Sequence, residues 1–196
     1  MFADNFRADW AVPRYFLHVD PGEGKPSNFG IVLGHLEKAE NIETGERDSI
    51  VVIDLAYAVA ARNDGEVDFI KAREILDIII SRFPVVYTSD RWNDVEYIQR
   101  IKGRVKGNDR LTVSWEHYEA LKTTIYGRKI KIMHDSSLAK EELKRLGLRN
   151  GNKVVKGTGC TKDVADGLAA VTYNCLVGKF KKKMSSGRLA TGVFGR

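Results

Sequence analysis

Four aspartates lie where a carboxylate can do chemistry. Asp20 ends the apolar run 15–19, Asp90 ends a second apolar run that begins at Pro84, and Asp163 and Asp166 open a late apolar segment. A buried, unpaired carboxylate costs on the order of several kcal/mol, so each needs a cation, hydrogen-bond donors or a metal ion. Acids repeated in comparable places therefore indicate a shared cation-binding site.

Each acid also has a simpler interpretation. Asp20 can start the turn at Pro21 and Gly22, and Asp90 can cap the helix expected after it. Asp163 and Asp166 can compensate a helix dipole, an effect worth about 0.3–1 kcal/mol. The functional interpretation depends on all of these carboxylates meeting in the fold.

Three strands are expected to position the first acid. Residues 15–19 are rich in aromatic and branched side chains and are followed by a Pro-Gly turn signal, which is typical of a buried strand. Two further β-rich runs, Phe29–Leu36 and Ser49–Ala60, flank a polar segment that contains Gly45. This pattern predicts a hairpin, and with it three successive antiparallel strands.

An alternation of helices and strands is expected to position the other acids. Pro84 ends the first predicted helix, so that helix leads directly into the strand that carries Asp90. The predicted elements are a helix at Val67–Phe83, a strand at 84–89, a helix at Trp92–Lys102, a strand at Arg110–Trp115, a helix at Glu116–Tyr126, a strand at Lys129–His134, a helix from Ser136 or Ser137 to Gly147, and a short strand at Lys153–Lys156.

The last predicted helix carries two acids in its first turns. Thr161 is the expected N-cap, and small residues at 167, 169 and 170 predict close packing against the sheet. That packing would bring Asp163 towards the strand ends. Asp166 lies about 4.5 Å further along the axis. Asp163 is therefore expected to be the principal acid, with Asp166 as an accessory ligand or neighbour.

Composition fits one globular domain with tails. The chain has 196 residues, a formal charge of +6 and a pI near 9.3, which favours an anionic partner. Residues 13–178 are expected to form the domain and residues 1–12 a lead-in. Lysines and arginines crowd residues 179–196 among Gly and Ser, which predicts a basic, flexible tail.

Several classes of protein are disfavoured. Cys160 and Cys175 have no metal-type spacing, which favours a reducing intracellular setting over secretion. There is no signal peptide and no apolar run of about 18 residues, so a soluble protein without membrane contact is expected. The segment Gly22-Glu-Gly-Lys25 is not a phosphate loop, because Pro26 stands where that motif needs Ser or Thr.

The ordered set of acids resembles the nuclease domain of a bacteriophage terminase large subunit. The similarity covers roughly residues 13–178 and is most specific in Thr161-Lys-Asp-Val-Ala-Asp-Gly-Leu-Ala-Ala-Val-Thr-Tyr-Asn174. Phe16-Leu-His-Val-Asp20, Tyr87-Thr-Ser-Asp-Arg-Trp92 and the region 118–130 support it. The resemblance implies an α/β, RNase H-like fold with a mixed central sheet, three antiparallel strands then parallel strands, flanked by helices.

The resemblance also implies an activity. It makes Asp20, Asp90 and Asp163 the catalytic, metal-binding acids and Asp166 a further ligand of two Mg²⁺ or Mn²⁺ ions. Two such ions about 3.5–4 Å apart can activate a water and stabilise the leaving oxygen in phosphodiester hydrolysis. The implied activity is endonucleolytic cleavage of double-stranded DNA. Residues expected to hold DNA phosphates are the basic residues near the site and in the tail: Lys25, Arg91, Lys162, Lys181, Lys182 and Lys183.

Partners follow from the same resemblance. The family's packaging motor has an ATPase domain N-terminal to the nuclease, and this chain contains no phosphate loop for one. The chain is therefore expected to be one domain of a larger protein that works with the small terminase subunit and the portal in the host-cell cytoplasm.

Two alternatives share the fold. One is an RNase H-like nucleic-acid-binding module without useful activity, in which the acids only cap. The other is a nuclease of the resolvase or transposase type, which shares the chemistry and differs in substrate. Dependence of cleavage on a divalent metal separates the first alternative from a nuclease.

Overall fold

A mixed β-sheet with helices on both faces organises the protein. The computed structural model describes residues 6–8, 14–21, 28–41, 45, 47–62, 65–90, 95–134 and 136–177. The strands of the sheet are β1 (Phe6–Ala8), β2 (Tyr15–Pro21), β3 (Phe29–Asn41), β4 (Arg47–Val59), β5 (Val85–Ser89), β6 (Gly107–Arg110) and β7 (Ile130–Ile132). The helices are α1 (Phe69–Arg82), α2 (Val95–Ile101), α3 (Trp115–Tyr126), α4 (Ser137–Lys144) and α5 (Asp163–Val177). A separate hairpin joins β8 (Gly147–Arg149) to β9 (Lys153–Val155).

The strand order in the sheet is β6-β5-β2-β3-β4-β7. Strands β2, β3 and β4 are antiparallel neighbours, whereas β5 is parallel to β2, β6 to β5, and β7 to β4. The short β1 pairs with residues 39–41 of β3, beyond the residues that pair with the start of β2. The predicted α/β class and the mixed sheet, antiparallel strands followed by parallel strands, are confirmed.

Each face of the sheet has its own apolar core. Phe16, Val32 and Leu168 belong to the core under α3, α4 and α5, whereas Leu17 and Leu76 belong to the core under α1 and α2. Because side chains alternate along a strand, Asp20 is on the same face of β2 as Phe16. The alternation thus directs Asp20 towards the α5 side of the sheet.

Two glycines allow α5 to lie close to the sheet. A Cβ atom on Gly167 would lie 2.5 Å from Cγ2 of Val32, and one on Gly30 would lie 2.3 Å from the backbone oxygen of Asp163. Gly30 is also the cross-strand partner of Asp20. The start of α5 therefore lies directly over the strand pair that carries Asp20.

Gly30→Ala is expected to lower the free energy of unfolding by about 1–3 kcal/mol, because the new methyl group overlaps backbone that cannot rotate away. The same overlap should move Asp163 away from Asp20. Urea unfolding measures the loss of stability. Gly103→Ala is the matched control, since a Cβ there meets nothing within 4 Å. Equal stability of Gly30→Ala and the parent would contradict this close approach.

One predicted strand was wrong. Strand β6 is at Gly107–Arg110 and not at Arg110–Trp115, and Trp115 already begins α3. The apolar alternation after residue 110 resembles a strand, but backbone pairing with β5 selects the polar residues before it. Ser114 then caps α3 together with His117. The position of this edge strand was set by its neighbour and not by its own side chains.

Other boundaries differ by a few residues. Strands β3 and β4 extend beyond the predicted hairpin strands, to Asn41 and from Arg47, because their pairing continues through polar residues. Helix α4 ends at Lys144, and the segment after it pairs with β9. Within the expected lead-in, residues 6–8 pair with β3. The predicted tail at 179–196 is outside the described residues. None of the described helices is long and apolar enough to cross a membrane.

Candidate functional site

The ends of two parallel strands and the start of one helix bring the four aspartates together. Asp20 is near the end of β2, and Asp90 directly follows β5, with Val19 and Ser89 paired in register. Asp163 and Asp166 belong to the first turn of α5. The predicted set of acids therefore converges at the C-terminal ends of two central strands, β2 and β5.

Asp20, Asp163 and Asp166 are buried and Asp90 is partly buried, and the negative charges of these acids act on one another. Burial, followed by the negative charges of Asp166 and Asp163, raises the pKa of Asp20 to about 8. Burial also raises the pKa of Asp163 to about 6, with Glu142 and Asp166 acting in the same direction and the Asn28 backbone N–H opposing them. Burial and Asp166 raise the pKa of Asp90, although a hydrogen bond from Thr112 lowers it. Burial is the largest cause for each of these acids and repulsion among the acids adds to it, so a bound cation would favour their ionised forms.

Asp166 is the most buried of the four, with 1% of its surface exposed. The Tyr118 hydroxyl donates to Asp166 Oδ1 at 2.5 Å, and the Lys162 ammonium forms an ion pair with Oδ2. Burial and the charge of Asp166 raise the pKa of the Tyr118 hydroxyl, which keeps it a donor. Both oxygens of Asp166 are thus already engaged.

Lys162 lies within the acidic cluster. Burial acts to lower the pKa of its ammonium, but Asp166, Asp20 and Asp90 outweigh burial and raise it. The positive charge of the exposed Lys156 acts on Asp163 in the direction that lowers the pKa of that carboxyl group. Lys162 was predicted to hold phosphate, which stays a prediction, and in the structure its ammonium pairs with the Asp166 carboxylate. Lys25, Arg91, Lys181, Lys182 and Lys183, the other predicted phosphate-binding residues, lie outside the described residues.

Glu142 fixes the start of α5. Its side chain is 0% exposed, and Oε2 accepts the backbone N–H groups of Val164 and Ala165 at 2.9 and 2.8 Å. Thr161 is not the expected N-cap, because α5 begins at Asp163 and its first free N–H groups donate to Glu142, while the Thr161 hydroxyl donates to Glu142 Oε1 at 2.5 Å. A carboxylate from α4 thus takes the place of a local cap and satisfies the free N–H groups of the helix start.

Asn28 orients the first acid of α5. Its backbone N–H donates to Asp163 Oδ2 at 2.8 Å, and its side-chain amide donates to the Thr161 hydroxyl at 3.2 Å. Its side-chain oxygen accepts the Ala61 N–H at 3.4 Å, which connects this corner to the end of β4. Among the residues that the structure describes, Asp163 is therefore held through Oδ2, whereas Asp166 is held through both of its carboxylate oxygens.

Sequence reasoning assigned no role in this site to Asn28 or to three residues of the helices. Glu142 lies three residues after the buried Ala139, so the spacing of α4 placed it on the inward face. His117 and Tyr118 occupy the buried face of α3, and His117 acts electrostatically on Asp90. Helical spacing was the available signal for each of them. Which partner each residue meets depends on the packing of α3 and α4 against α5.

The donor set fits a hard divalent cation. Mg²⁺ and Mn²⁺ prefer oxygen ligands, and a bound cation would offset the burial and mutual repulsion that raise the pKa values of Asp20 and Asp163. In the part of the chain that the structure describes, no three His, Cys, Asp or Glu side chains form a ready metal-binding group. One physical reason is that Tyr118 and Lys162 already occupy the two carboxylate oxygens of Asp166.

The chain was compared with known proteins in three ways. A scan against protein-family models finds no match. A search of the curated proteins and a search of the solved structures find none either.

Proposed function

We propose that this protein is a metal-dependent endonuclease that cleaves double-stranded DNA, with an RNase H-like fold and the role of a terminase nuclease domain. The observation that carries the proposal is the convergence of Asp20, Asp90, Asp163 and Asp166 at the ends of β2 and β5 and the start of α5. The sheet order supports the fold assignment, because three antiparallel strands are followed by two strands parallel to the first.

The residues divide into ligands and supports. Asp20, Asp90 and Asp163 would hold Mg²⁺ or Mn²⁺, two ions as the resemblance implies, with Asp166 as an accessory ligand. A bound pair of such ions lowers the pKa of the attacking water and stabilises the leaving oxygen of a phosphodiester. Asn28 orients Asp163, and Tyr118 orients Asp166, through the hydrogen bonds described above. Glu142 holds the helix that carries both acids.

Protonation adds a requirement to cation binding. With a pKa near 8, the Asp20 carboxyl holds a proton at neutral pH in the absence of a cation. Asp20 must release this proton to become a ligand. We therefore propose that cation affinity rises with pH through this range. The proton leaves from a carboxyl group that is buried beside Asp166, so the cation replaces it as the neutralising charge.

DNA and the packaging machinery are the proposed partners. The formal charge of +6 and the lysines of the tail favour a polyanion. ATP hydrolysis is assigned to an N-terminal ATPase domain elsewhere in the full protein, and the small terminase subunit and portal are the further partners proposed. The site of action is the host-cell cytoplasm.

Cleavage of supercoiled plasmid tests the proposal. Nicked and linear products are expected with Mg²⁺ or Mn²⁺, and no products with EDTA. Ca²⁺ should bind without supporting cleavage, because its larger radius and looser coordination misplace water and phosphate. Asp109→Asn, at an exposed acid of β6, is the matched control for variants of the site acids. Cutting in EDTA, or cutting in Ca²⁺ as fast as in Mg²⁺, would contradict the two-metal account.

A DNA-binding module without activity is the second candidate. The observation that favours it is the engagement of both Asp166 oxygens by Tyr118 and Lys162, an arrangement that is complete without a metal ion. The same plasmid experiment separates the candidates. DNA binding that survives EDTA, with no cleavage in any divalent metal, supports the module.

A further inference from the structure

Lys162 combines a partly exposed side chain with a buried partner. Its side chain is 35% exposed, whereas the Asp166 side chain with which it pairs is 1% exposed. The two are four residues apart and span the start of α5. An ion pair on a surface contributes little, but a carboxylate buried this deeply needs a neutralising partner.

The ammonium occupies a place that a metal ion would need. Asp166 Oδ1 already accepts from Tyr118, so Oδ2 is the oxygen through which Asp166 could reach a cation. Lys162 lies on Oδ2. Its charge also acts electrostatically on Asp20 and Asp90, so the ammonium partly offsets the negative charge of three acids of the cluster. A divalent cation and this ammonium would compete for the same carboxylates.

The side chain can leave without unfolding the helix. The Lys162 backbone oxygen accepts the Asp166 N–H at 2.8 Å, which keeps the backbone of residue 162 as part of the helix start. Only the partly exposed four-carbon stem has to rotate towards solvent. Glu142 holds the first turn independently of Lys162.

We propose that Lys162 is an internal counter-cation of the acidic cluster, which occupies the metal position in the metal-free protein and is displaced when a divalent cation binds. The inference deepens the proposed function and rests on it. It assigns Lys162 to the control of metal affinity, in place of the phosphate-binding role that the sequence suggested. Lys162 is a positioning residue in this account, because it acts through Asp166.

A purely structural ion pair makes a different prediction. If Lys162 only stabilises the fold, removing its charge lowers stability and leaves the affinity for metal unchanged. If Lys162 competes with the metal, removing its charge raises that affinity. Metal affinity measured without DNA therefore distinguishes the two roles.

Calorimetric titration of Mn²⁺ and Mg²⁺ into the full chain provides the test. Lys162→Met and Lys162→Gln should bind metal about tenfold tighter than the parent, within the usual range of about 5–150-fold for coupled sites. The amide of Lys162→Gln can still donate to Asp166, which preserves folding if the Met variant is too unstable. Lys162→Arg keeps the charge and should stay within about twofold of the parent. Lys153→Met, at an exposed lysine of β9, controls for the loss of one positive charge.

Thermal melting gives a second readout. Metal-free Lys162→Gln should melt below the parent, and saturating Mn²⁺ should raise its melting temperature by more than that of the parent. Parent-like metal affinity in both uncharged variants overturns the role of Lys162 and leaves the proposed function intact. Absence of metal binding in the parent and in every variant overturns both.

Discussion

An Asp20→Asn variant is expected to lose DNA cleavage while its metal-free form becomes more stable than the parent at pH 8. Loss of a charged ligand removes several kcal/mol of transition-state stabilisation, and each 1.36 kcal/mol is tenfold, so cleavage should fall by about a thousandfold or more. The gain in stability arises because the amide removes a buried negative charge that the metal-free cluster cannot neutralise.

The pH dependence of this effect follows from the pKa of Asp20. The folded value of about 8 lies above the ordinary value of 3.8, so the folded state binds the proton more tightly than the unfolded state. The stabilisation from this proton is fully present below about pH 3.8 and is lost as pH rises through 8. The pKa of Asp163 is also raised, from 3.8 to about 6, so this group adds to the loss of stability as pH rises between these two values.

Urea unfolding in EDTA at pH 5 and pH 8 measures the difference. Asp20→Asn should exceed the parent by more at pH 8 than at pH 5, and Asp109→Asn should follow the parent at both. With saturating Mn²⁺ the parent should be more stable than Asp20→Asn, because only the parent binds the ion tightly and gains stability from that binding. An Asp20→Asn variant that is less stable than the metal-free parent at pH 8 would contradict this account of the cluster.

Glu142→Ala is expected to lower the free energy of unfolding by about 3 kcal/mol. The substitution leaves two buried N–H groups and the Thr161 hydroxyl without their acceptor, and each buried orphan group costs about 1–3 kcal/mol. Because the same helix turn carries Asp163 and Asp166, metal binding and cleavage should fall with stability. The effect should be larger than for an ordinary N-cap, whose loss costs about 1 kcal/mol.

Two further variants define the role of Glu142. Glu142→Gln keeps an oxygen for the helix N–H groups and an amide that can donate to the Thr161 hydroxyl, so it should lose only about 1 kcal/mol. Glu141→Ala is the matched control at the next residue, where the side chain is half exposed and pairs with Arg145 at 3.2 Å. Glu141→Ala should lower the free energy of unfolding by no more than about 0.5 kcal/mol. Equal urea midpoints for Glu142→Ala and Glu141→Ala would contradict the role of Glu142 as the acceptor for the first N–H groups of α5.

Local periodicity made much of the fold predictable. The apolar run at residues 15–19, with its aromatic and branched side chains and its Pro-Gly turn signal, identified β2, and the apolar stripe before Pro84 identified α1 within two residues of its ends. Both signals depend on apolar side chains that are buried, on both faces of β2 and on one face of α1, so they are present in the local sequence. The edge strand β6 has no such face. Its position depends on hydrogen bonds to β5, and the prediction at Arg110–Trp115 was wrong for that reason.

By itself, the sequence determined the acids and the elements that carry them. A buried strand that ends in Asp20 and a helix that begins with Asp163 follow from residue type and spacing, because periodicity and turn chemistry act over a few residues. Only the tertiary structure decided the partners: Glu142 at the start of α5, Tyr118 on Asp166, and Lys162 within the acidic cluster. These contacts join side chains from α3, α4 and α5, and their electrostatic effects depend on burial at the meeting point of separate elements.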